Sequence, residues 1–358
     1  MKILGIYRGF PGLGRVVAGV ELAEYFKINY RADVKLFSYL QGEKYLKQKN
    51  YLTNFEVKTQ DYSSIGIIPI SNYGEFIINQ ILEINPDFII LDGEPLMTQF
   101  LKLIFPKIKM ICLLNPFDVE NPYNQPSSCK FLNNAYSQSD LSIVHGLWKV
   151  NPNKEYNNLQ SINTIVRNDV LSVKRTKLRN KISCILGGGS INAKQSFIDT
   201  SLSIAEKCVQ MADFFPDYEI HIYCSYDVMG LNIPLNSHNV FIHKNIEKCE
   251  QYYSDSKLII SRAGRNTISE LLCLGIPSII IPAGDDFRAK EQDANSEQAK
   301  KIDSSLIKIL QQNSTIDTLV STCQNILVSN NDKPSIQWQC GNFESQNLIL
   351  NLYKSELK

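Results

Sequence analysis

A chain of 358 residues is long enough for two α/β domains, each with its own core. Its 37 basic against 36 acidic residues leave no global field for nucleic acid or an anionic membrane. Nine cysteines spread singly through apolar segments, among them Cys112, Cys184, Cys224 and Cys273, form no C-x-x-C pair and point to reduced thiols in a cytoplasmic protein.

Lys2 to Tyr7 predicts a buried strand, broken at Arg8 and Gly9 before any signal-type apolar run can develop. No segment reaches the ~18 apolar residues of a membrane span. In RGFPGLGRVVAGVELAEYF, Gly9, Gly12 and Gly14 surround Pro11, and Val16, Val17, Val20, Leu22 and Ala23 make one apolar face of a helix. A dinucleotide fingerprint has the same strand, loop, helix order, but it needs a carboxylate after the next strand to hold a ribose. Asp33 precedes the strand Val34 to Phe37, and Ser38 to Gln41 contains no acid, which argues against an NAD site.

A helix over Tyr73 to Ile84 follows, with Phe76, Ile77, Ile81 and Ile84 on its apolar side. Pro86 to Asp92 makes a short buried strand that turns through Gly93, Glu94 and Pro95 into another helix. Asp92 and Glu94 therefore lie at a strand's C-terminal edge, where each reads either as a base or, for Asp92, as a cap on the next helix. Pro106 splits FLKLIFPKIKMICLL into a helix end and a strand, and Asn115 to Ser128 reads as a Pro- and Asn-rich loop. Leu141 to His145 is a further strand. His145 at its end is either a base or a hydrogen-bonded structural histidine.

Residues 167–181, with Lys174, Arg175, Lys177, Arg179 and Lys181, read as a linker, and a second domain opens at Ile182. Gly187, Gly188 and Gly189 leave backbone bare for a diphosphate, and Ser190 adds a hydroxyl. Strands follow at Glu219 to Cys224 and Val240 to His243; His221, His238 and His243 lack metal-ligand spacing. Leu258 to Ser261 ends at Arg262, and Gly264 permits the turn into a helix starting near Arg265. The free amides of Arg265, Asn266 and Thr267 suit a phosphate. Glu270, three residues beyond Thr267 on the same face, suits ribose hydroxyls, although a solvated helix glutamate has the same signature. Ser278 to Ile281 is an apolar strand leading to Pro282 and the loop with Gly284, Asp285 and Asp286, and the last helix spans Glu344 to Tyr353.

Arg262, Ala263, Gly264, Thr267 and Glu270 match an R-[SA]-G-x-x-T-x-x-E stretch, and Glu291, Gln292 and Asn295 match a following E/Q-Q pair and Asn. The segment resembles the donor-binding half of the GT-B glycosyltransferases, in particular the peptidoglycan lipid II N-acetylglucosaminyltransferase family. Gly188, Gly189 and Ser190 match that family's G-G-S loop, while Ile191 and Asn192 depart from it. The resemblance covers the C-terminal half well and the N-terminal half weakly. It implies an α/β GT-B fold of two Rossmann-like domains facing across a cleft: 1–166, a linker at 167–181, 182–340, and a helix over 341–358 crossing back to the N-terminal domain. It also implies that amides near Arg265 to Thr267 face the diphosphate of a UDP-sugar, Glu270 the ribose, and Glu291 with Gln292 the sugar.

In that family the first glycine loop resembles G-x-G-H, whose His is the base. Here the position is Arg15, which cannot release its proton near neutral pH. Arg15, with Gly12 and Gly14, would instead hold an acceptor phosphate or carboxylate, unless it is simply an exposed first-turn arginine. The candidate bases are then Glu94, Asp92 and His145, and the D-x-E-P turn resembles one in a group of related GT-B proteins. The resulting expectation is an inverting transferase, independent of metal and cofactor, moving a sugar such as an N-acetylhexosamine from UDP to a small-molecule, glycan or lipid-linked acceptor. Membrane contact would be peripheral at most, and nucleic acid is no partner. The alternatives are an accessory nucleotide-sugar-binding protein that lost its base, or a UDP-sugar hydrolase or epimerase.

Overall fold

The computed structural model describes residues 1–9, 12–51, 67–151, 156, 158–176, 179–187, 195–224, 238–243, 249–282, 288–329 and 338–355. The chain divides into two units, Met1–Ile165 with Cys340–Lys358, and Val166–Gln339.

The sheet of the first unit contains β1 (Lys2–Tyr7), β2 (Asp33–Ser38), β3 (Phe88–Asp92), β4 (Lys109–Leu114), β5 (Leu141–Gly146) and β6 (Leu159–Asn163). They are parallel and lie in the order β2-β1-β3-β4-β5-β6. Runs such as FIILD in β3 are buried throughout, as strands covered on both faces must be. Alternate residues feed two cores: Ile3, Tyr7, Phe88 and Ile90 on one face, Leu4, Ile6, Ile89 and Leu91 on the other.

The accompanying helices are α1 (Gly14–Tyr30), α2 (Gln41–Gln48), α3 (Ile67–Ile84), α4 (Pro95–Ile104), α5 (Pro116–Val119) and α6 (Pro126–Tyr136). α1 approaches β1 closely because two glycines make room for one ring. A Cβ on Gly5 or Gly19 would lie 2.3 Å from Tyr7, whose hydroxyl donates to Gly19 O at 3.0 Å. The segment expected as a loop from Asn115 instead holds a short helical turn. Asn115 Oδ1 accepts from the Phe117 amide at 3.1 Å, and Asp118 Oδ2 accepts from the Asn115 amide at 2.8 Å, a reciprocal cap with Pro116 at the first helical position.

The second sheet contains β7 (Lys181–Ile185), β8 (Glu219–Tyr223), β9 (Val240–His243), β10 (Ser256–Arg262), β11 (Ser278–Ile281) and β12 (Ile307–Ile309). These strands are also parallel, in the order β12-β11-β10-β7-β8-β9. Its helices are α7 (Asn168–Leu171), α8 (Gln195–Gln210), α9 (Glu250–Tyr253), α10 (Arg265–Leu274), α11 (Arg288–Ile302) and α12 (Ile316–Val328). Residues of 167–181 are tied to this unit: Arg175 donates to Ser256 O at 2.6 Å and to Gly275 O at 3.3 Å. The final helix, α13 (Asn342–Lys354), belongs to the first unit, where Ile349 enters the core and Tyr353 meets Phe88 edge-on at 5.4 Å.

Strand order reverses direction between β1 and β3 in the first unit and between β7 and β10 in the second. In open parallel sheets, ligands settle outside the carboxyl ends of the strands at such switch points. That locates one candidate site in each unit.

Candidate functional site

At the first switch point β1 runs out into Arg8, whose amide donates to Asp92 O at the end of β3, 3.0 Å away. Arg15 lies in the first turn of α1. One guanidinium nitrogen donates to Asp92 Oδ1 and another to Asp118 Oδ1, both at 2.8 Å. The arginine side chain is 16% exposed and the Asp92 side chain 1%. Burial opposes the Arg15 charge, but Asp118 and Asp92 outweigh it and hold the guanidinium well above its ordinary range. Burial also works against the Asp118 carboxylate, yet Arg15 and then Arg8 bring it below the usual value. Arg15 is thus committed to two carboxylates of its own unit, unlike the acceptor-anion role expected of it. Gly14 opens α1 beside it, and a Cβ on Gly12 would meet nothing within 4 Å.

Gly93 separates Asp92 from Glu94 and has φ +77, where a side chain is strained. A Cβ there would stand 2.5 Å from Arg15 Cδ and 3.0 Å from Arg8 Nε, so both arginines lie over this residue. Glu94 is wholly buried, and the Tyr39 hydroxyl donates to its Oε1. Burial pushes the Glu94 carboxyl up to about 7, against the pull of Arg8, the Tyr39 hydrogen bond and Arg15; Asp92 adds to the rise. Its Oε2 has no hydrogen-bond partner among the described residues. Neither acid caps α4 through its side chain: Asp92 faces Arg15, and at the cap position it is the Glu94 carbonyl that accepts from Thr98 N at 3.0 Å.

His145 is fully buried in β5, and its Nδ1 accepts from the Ile165 amide at 3.3 Å. That bond puts the proton of a neutral ring on Nε2. The histidine anchors the backbone after β6, as the structural alternative expects.

At the second switch point Gly187, φ +86, follows the end of β7, and a Cβ there would come 3.5 Å from Arg262 at the end of β10. Gly188, Gly189 and Ser190 lie outside the described residues. Arg262 donates to Ser201 Oγ at 3.3 Å. Gly264 is the extended cap residue before α10, so Arg265, Asn266 and Thr267 form the first turn, whose amides have no intrahelical acceptor. Arg265 Nε lies 3.4 Å from Asn266 Oδ1. Glu291, Gln292 and Asn295 are carried by α11; Gln292 and Asn295 are buried, and Asn295 Nδ2 donates to Ala263 O at 3.1 Å, pinning α11 to the loop after β10.

Glu270 is buried one turn into α10 and is not a solvated helix glutamate. Arg167 donates from Nε to its Oε1 at 2.9 Å and from a terminal nitrogen to Oε2 at 3.1 Å, while Tyr253 OH donates to Oε2 at 2.5 Å. The same arginine donates to Tyr252 OH at 2.8 Å. Burial disfavours the Arg167 charge, but the Glu270 carboxylate more than restores it. Burial and Glu270 together push the Tyr253 phenol well up.

Five of these residues were not candidates from sequence: Arg8, Tyr39, Asp118, Arg167 and Tyr253. The signal for Arg8 was its place directly after β1, and for Asp118 the N-P-x-D turn. Tyr39, Arg167 and Tyr253 act through contacts 55, 103 and 17 residues away, which no local pattern reveals.

Two doubly wound units with polar clusters at their switch points define a GT-B glycosyltransferase fold. Residues 185–342 match the glycosyltransferase family 28 C-terminal domain. A UDP-N-acetylglucosamine–N-acetylmuramyl-(pentapeptide) pyrophosphoryl-undecaprenol N-acetylglucosamine transferase from Latilactobacillus sakei is 31% identical over 126 residues, 35% of this chain and 34% of the relative. The chain therefore matches about a third of that relative's length. MurG of Acinetobacter baumannii aligns over 91% of each chain with a TM-score of 0.57 at 14% identity. A UDP-GlcNAc 2-epimerase from Neisseria meningitidis aligns over 99% of this chain and 100% of its own, with a TM-score of 0.62 at 12% identity. At these identities the likeness is one of fold. Among the described residues no helix is long and apolar enough to cross a membrane.

Proposed function

We propose that the protein transfers a sugar, an N-acetylhexosamine by preference, from a UDP-sugar to a hydroxyl acceptor, with inversion and without a metal. The observation that carries the reading is Glu94: a fully buried carboxyl poised at about 7, with one oxygen held by Tyr39 and the other uncommitted among the described residues. A base needs a pKa near the working pH and a lone pair not already taken up by a hydrogen bond, and Glu94 meets both requirements better than Asp92 or His145.

In the proposed step the acceptor hydroxyl gives its proton to Glu94 Oε2 as its oxygen attacks the anomeric carbon. The bond from that carbon to the UDP oxygen breaks, and UDP leaves with the electron pair. One displacement inverts the centre. The first-turn amides of α10, at Arg265 to Thr267, would take the charge growing on the diphosphate, so no cation is required. Glu270 would hold the ribose. A carboxylate offers about four lone-pair sites, and three are filled by Arg167 and Tyr253, which leaves one on Oε1 for a hydroxyl. Glu291 and Gln292 would meet the sugar. The match over residues 185–342 supports the donor side, as does the donor named for the Latilactobacillus relative.

The test is a screen of UDP-sugars with mixed acceptors in the presence of EDTA, with products identified by mass. A glycosylated acceptor supports transfer. Free sugar alone, or an isomerised UDP-sugar, would replace this reading with hydrolysis or epimerisation.

A further inference from the structure

The strands EIHIY (β8) and VFIH (β9) alternate. Ile220, Ile222 and Val240 enter the core on one face, and Glu219, His221, Tyr223, Phe241 and His243 stand on the other. Alternation of this kind marks a sheet face that no apolar layer seals, and Phe241 on the edge strand is 41% exposed. Beside α9 that face closes into a cavity of about 310 Å³, whose walls include Lys181, His221, Tyr223, His243, Gln251 and Asp255. None of these residues belongs to the donor cluster of Arg265 to Glu270.

Glu219 Oε2 lies 3.0 Å from His221 Nε2, and His221 Nδ1 lies 2.8 Å from His243 Nε2. A carboxylate only accepts, so His221 carries its proton on Nε2 and accepts at Nδ1. His243 then donates from Nε2 and keeps the Nδ1 lone pair, which has no hydrogen bond among the described residues. Burial lowers both imidazoles and keeps the rings neutral. The two rings are parallel to within 9°, and Tyr223 stacks on His243 at 4.4 Å. Lys181 Nζ pairs with Asp255 Oδ2 at 3.0 Å and donates to Gln251 O at 3.3 Å, which leaves one of its three protons over. Asp255 Oδ1 has no hydrogen-bond partner among the described residues, and the Asp255 side chain is 33% exposed.

An anion in this cavity would meet Asp255, Glu219 and the His243 lone pair. A cation would meet Lys181 and find Asp255 already neutralised by it. The matching ligand is neutral and rich in hydroxyls, able to donate to Asp255 and His243, to accept from Lys181, and to lay a C–H face on the rings. The cavity is at the lower end of ligand-site sizes and suits one ring rather than a chain. We propose that it binds a single sugar residue, as a second site apart from the one that takes the UDP-sugar. The proposal uses neither Glu94 nor Glu270 and stands independently of the transfer reaction.

The chain has four histidines, so ring-nitrogen resonances of protein labelled with ¹⁵N-histidine report on His221 and His243 directly. Wild type is titrated with glucose, N-acetylglucosamine and methyl glucoside, and with inorganic phosphate and methylammonium as charged controls. At least one sugar should shift the His243 signals saturably, about tenfold more tightly than either charged probe. Methyl glucoside binding as well as glucose identifies the end of a glycan as a fitting source, and binding confined to the reducing sugars identifies a free monosaccharide. His243→Phe keeps a ring and removes the acceptor, so the affinity read at His221 should fall about fivefold, the worth of one hydrogen bond. Asp255→Asn turns its oxygen to Lys181 and an amide donor to the cavity, with a similar loss read at His243; it carries the test if the phenylalanine variant does not fold. Glu270→Gln should leave sugar affinity unchanged. No shift of His243 by any sugar, a charged probe that binds as tightly, or an affinity that survives both variants overturns the proposal. So does an affinity lost in Glu270→Gln, which would put the sugar in the donor site.

Discussion

Tyr39 donates a hydrogen bond from its hydroxyl to Oε1 of Glu94, so a buried carboxyl held near neutrality has a fixed oxygen and a working oxygen. The bond stabilises the ionised form. Tyr39→Phe should therefore raise the Glu94 pKa, moving the acidic limb of the kcat/KM profile upward by about one pH unit, with the KM for the UDP-sugar unchanged. A pH-rate series on the two proteins checks this.

Glu94→Gln should lower transfer by about 10²–10⁴-fold, the usual worth of a general base. It should also stabilise the fold at alkaline pH. The folded state keeps the Glu94 proton up to about 7, whereas the unfolded chain releases it near the ordinary carboxyl value, so stability falls as pH rises between the two. Removing the group abolishes that loss, worth roughly 3 kcal/mol for a shift of this size. Denaturant melts at pH 8 should show the gain, and melts at pH 4 should not.

Arg167 and Glu270 form a buried, two-pronged pair, and removing one partner leaves the other uncompensated. Arg167→Met should destabilise the protein by about 3–5 kcal/mol, and adding Glu270→Gln should recover part of that loss. A double-mutant cycle in urea provides the coupling energy. UDP affinity should fall in both single variants, because either the carboxylate is lost or its orientation is.

Gly93→Ala places a Cβ at φ +77 and against an Arg15 side chain that two aspartates hold in place. The expected cost is about 1–3 kcal/mol, together with loss of activity as Glu94 shifts. Gly12→Ala, where a Cβ meets nothing, should be neutral for stability by comparison.

In the second unit His221 Nδ1 lies 2.8 Å from His243 Nε2, and its other nitrogen lies 3.0 Å from Glu219. One proton fits between the rings, and a second breaks the bond. Burial lowers both histidines; Lys181 opposes the charge of each, and Glu219 partly offsets this at His221. The unfolded chain thus binds protons first as pH falls below about 6.5, and stability drops there. His243→Gln should flatten the melting temperature between pH 7 and pH 5.

Much of the donor unit was legible from Arg262 to Asn295, because strand, glycine turn and helix start are local patterns that encode their own geometry. The D-x-E-P turn likewise announced Asp92 and Glu94 at a sheet edge. What could not be read were the partners. Arg15 was an arginine at a helix start until the fold brought Asp92 and Asp118 to it, 77 and 103 residues away. His145 differed from a catalytic histidine only by its burial against the Ile165 amide. Composition alone marks Asn115 to Ser128 as a loop, although Asn115, Pro116 and Asp118 spell a capped turn when read as a set.

The most direct measurement compares wild type and Glu94→Gln in one assay that follows both UDP binding and sugar transfer to an acceptor. The account predicts equal UDP affinity, with glycosylated product from wild type and almost none from the variant. A variant that transfers at the wild-type rate, or a wild-type protein that does not bind UDP, would contradict it.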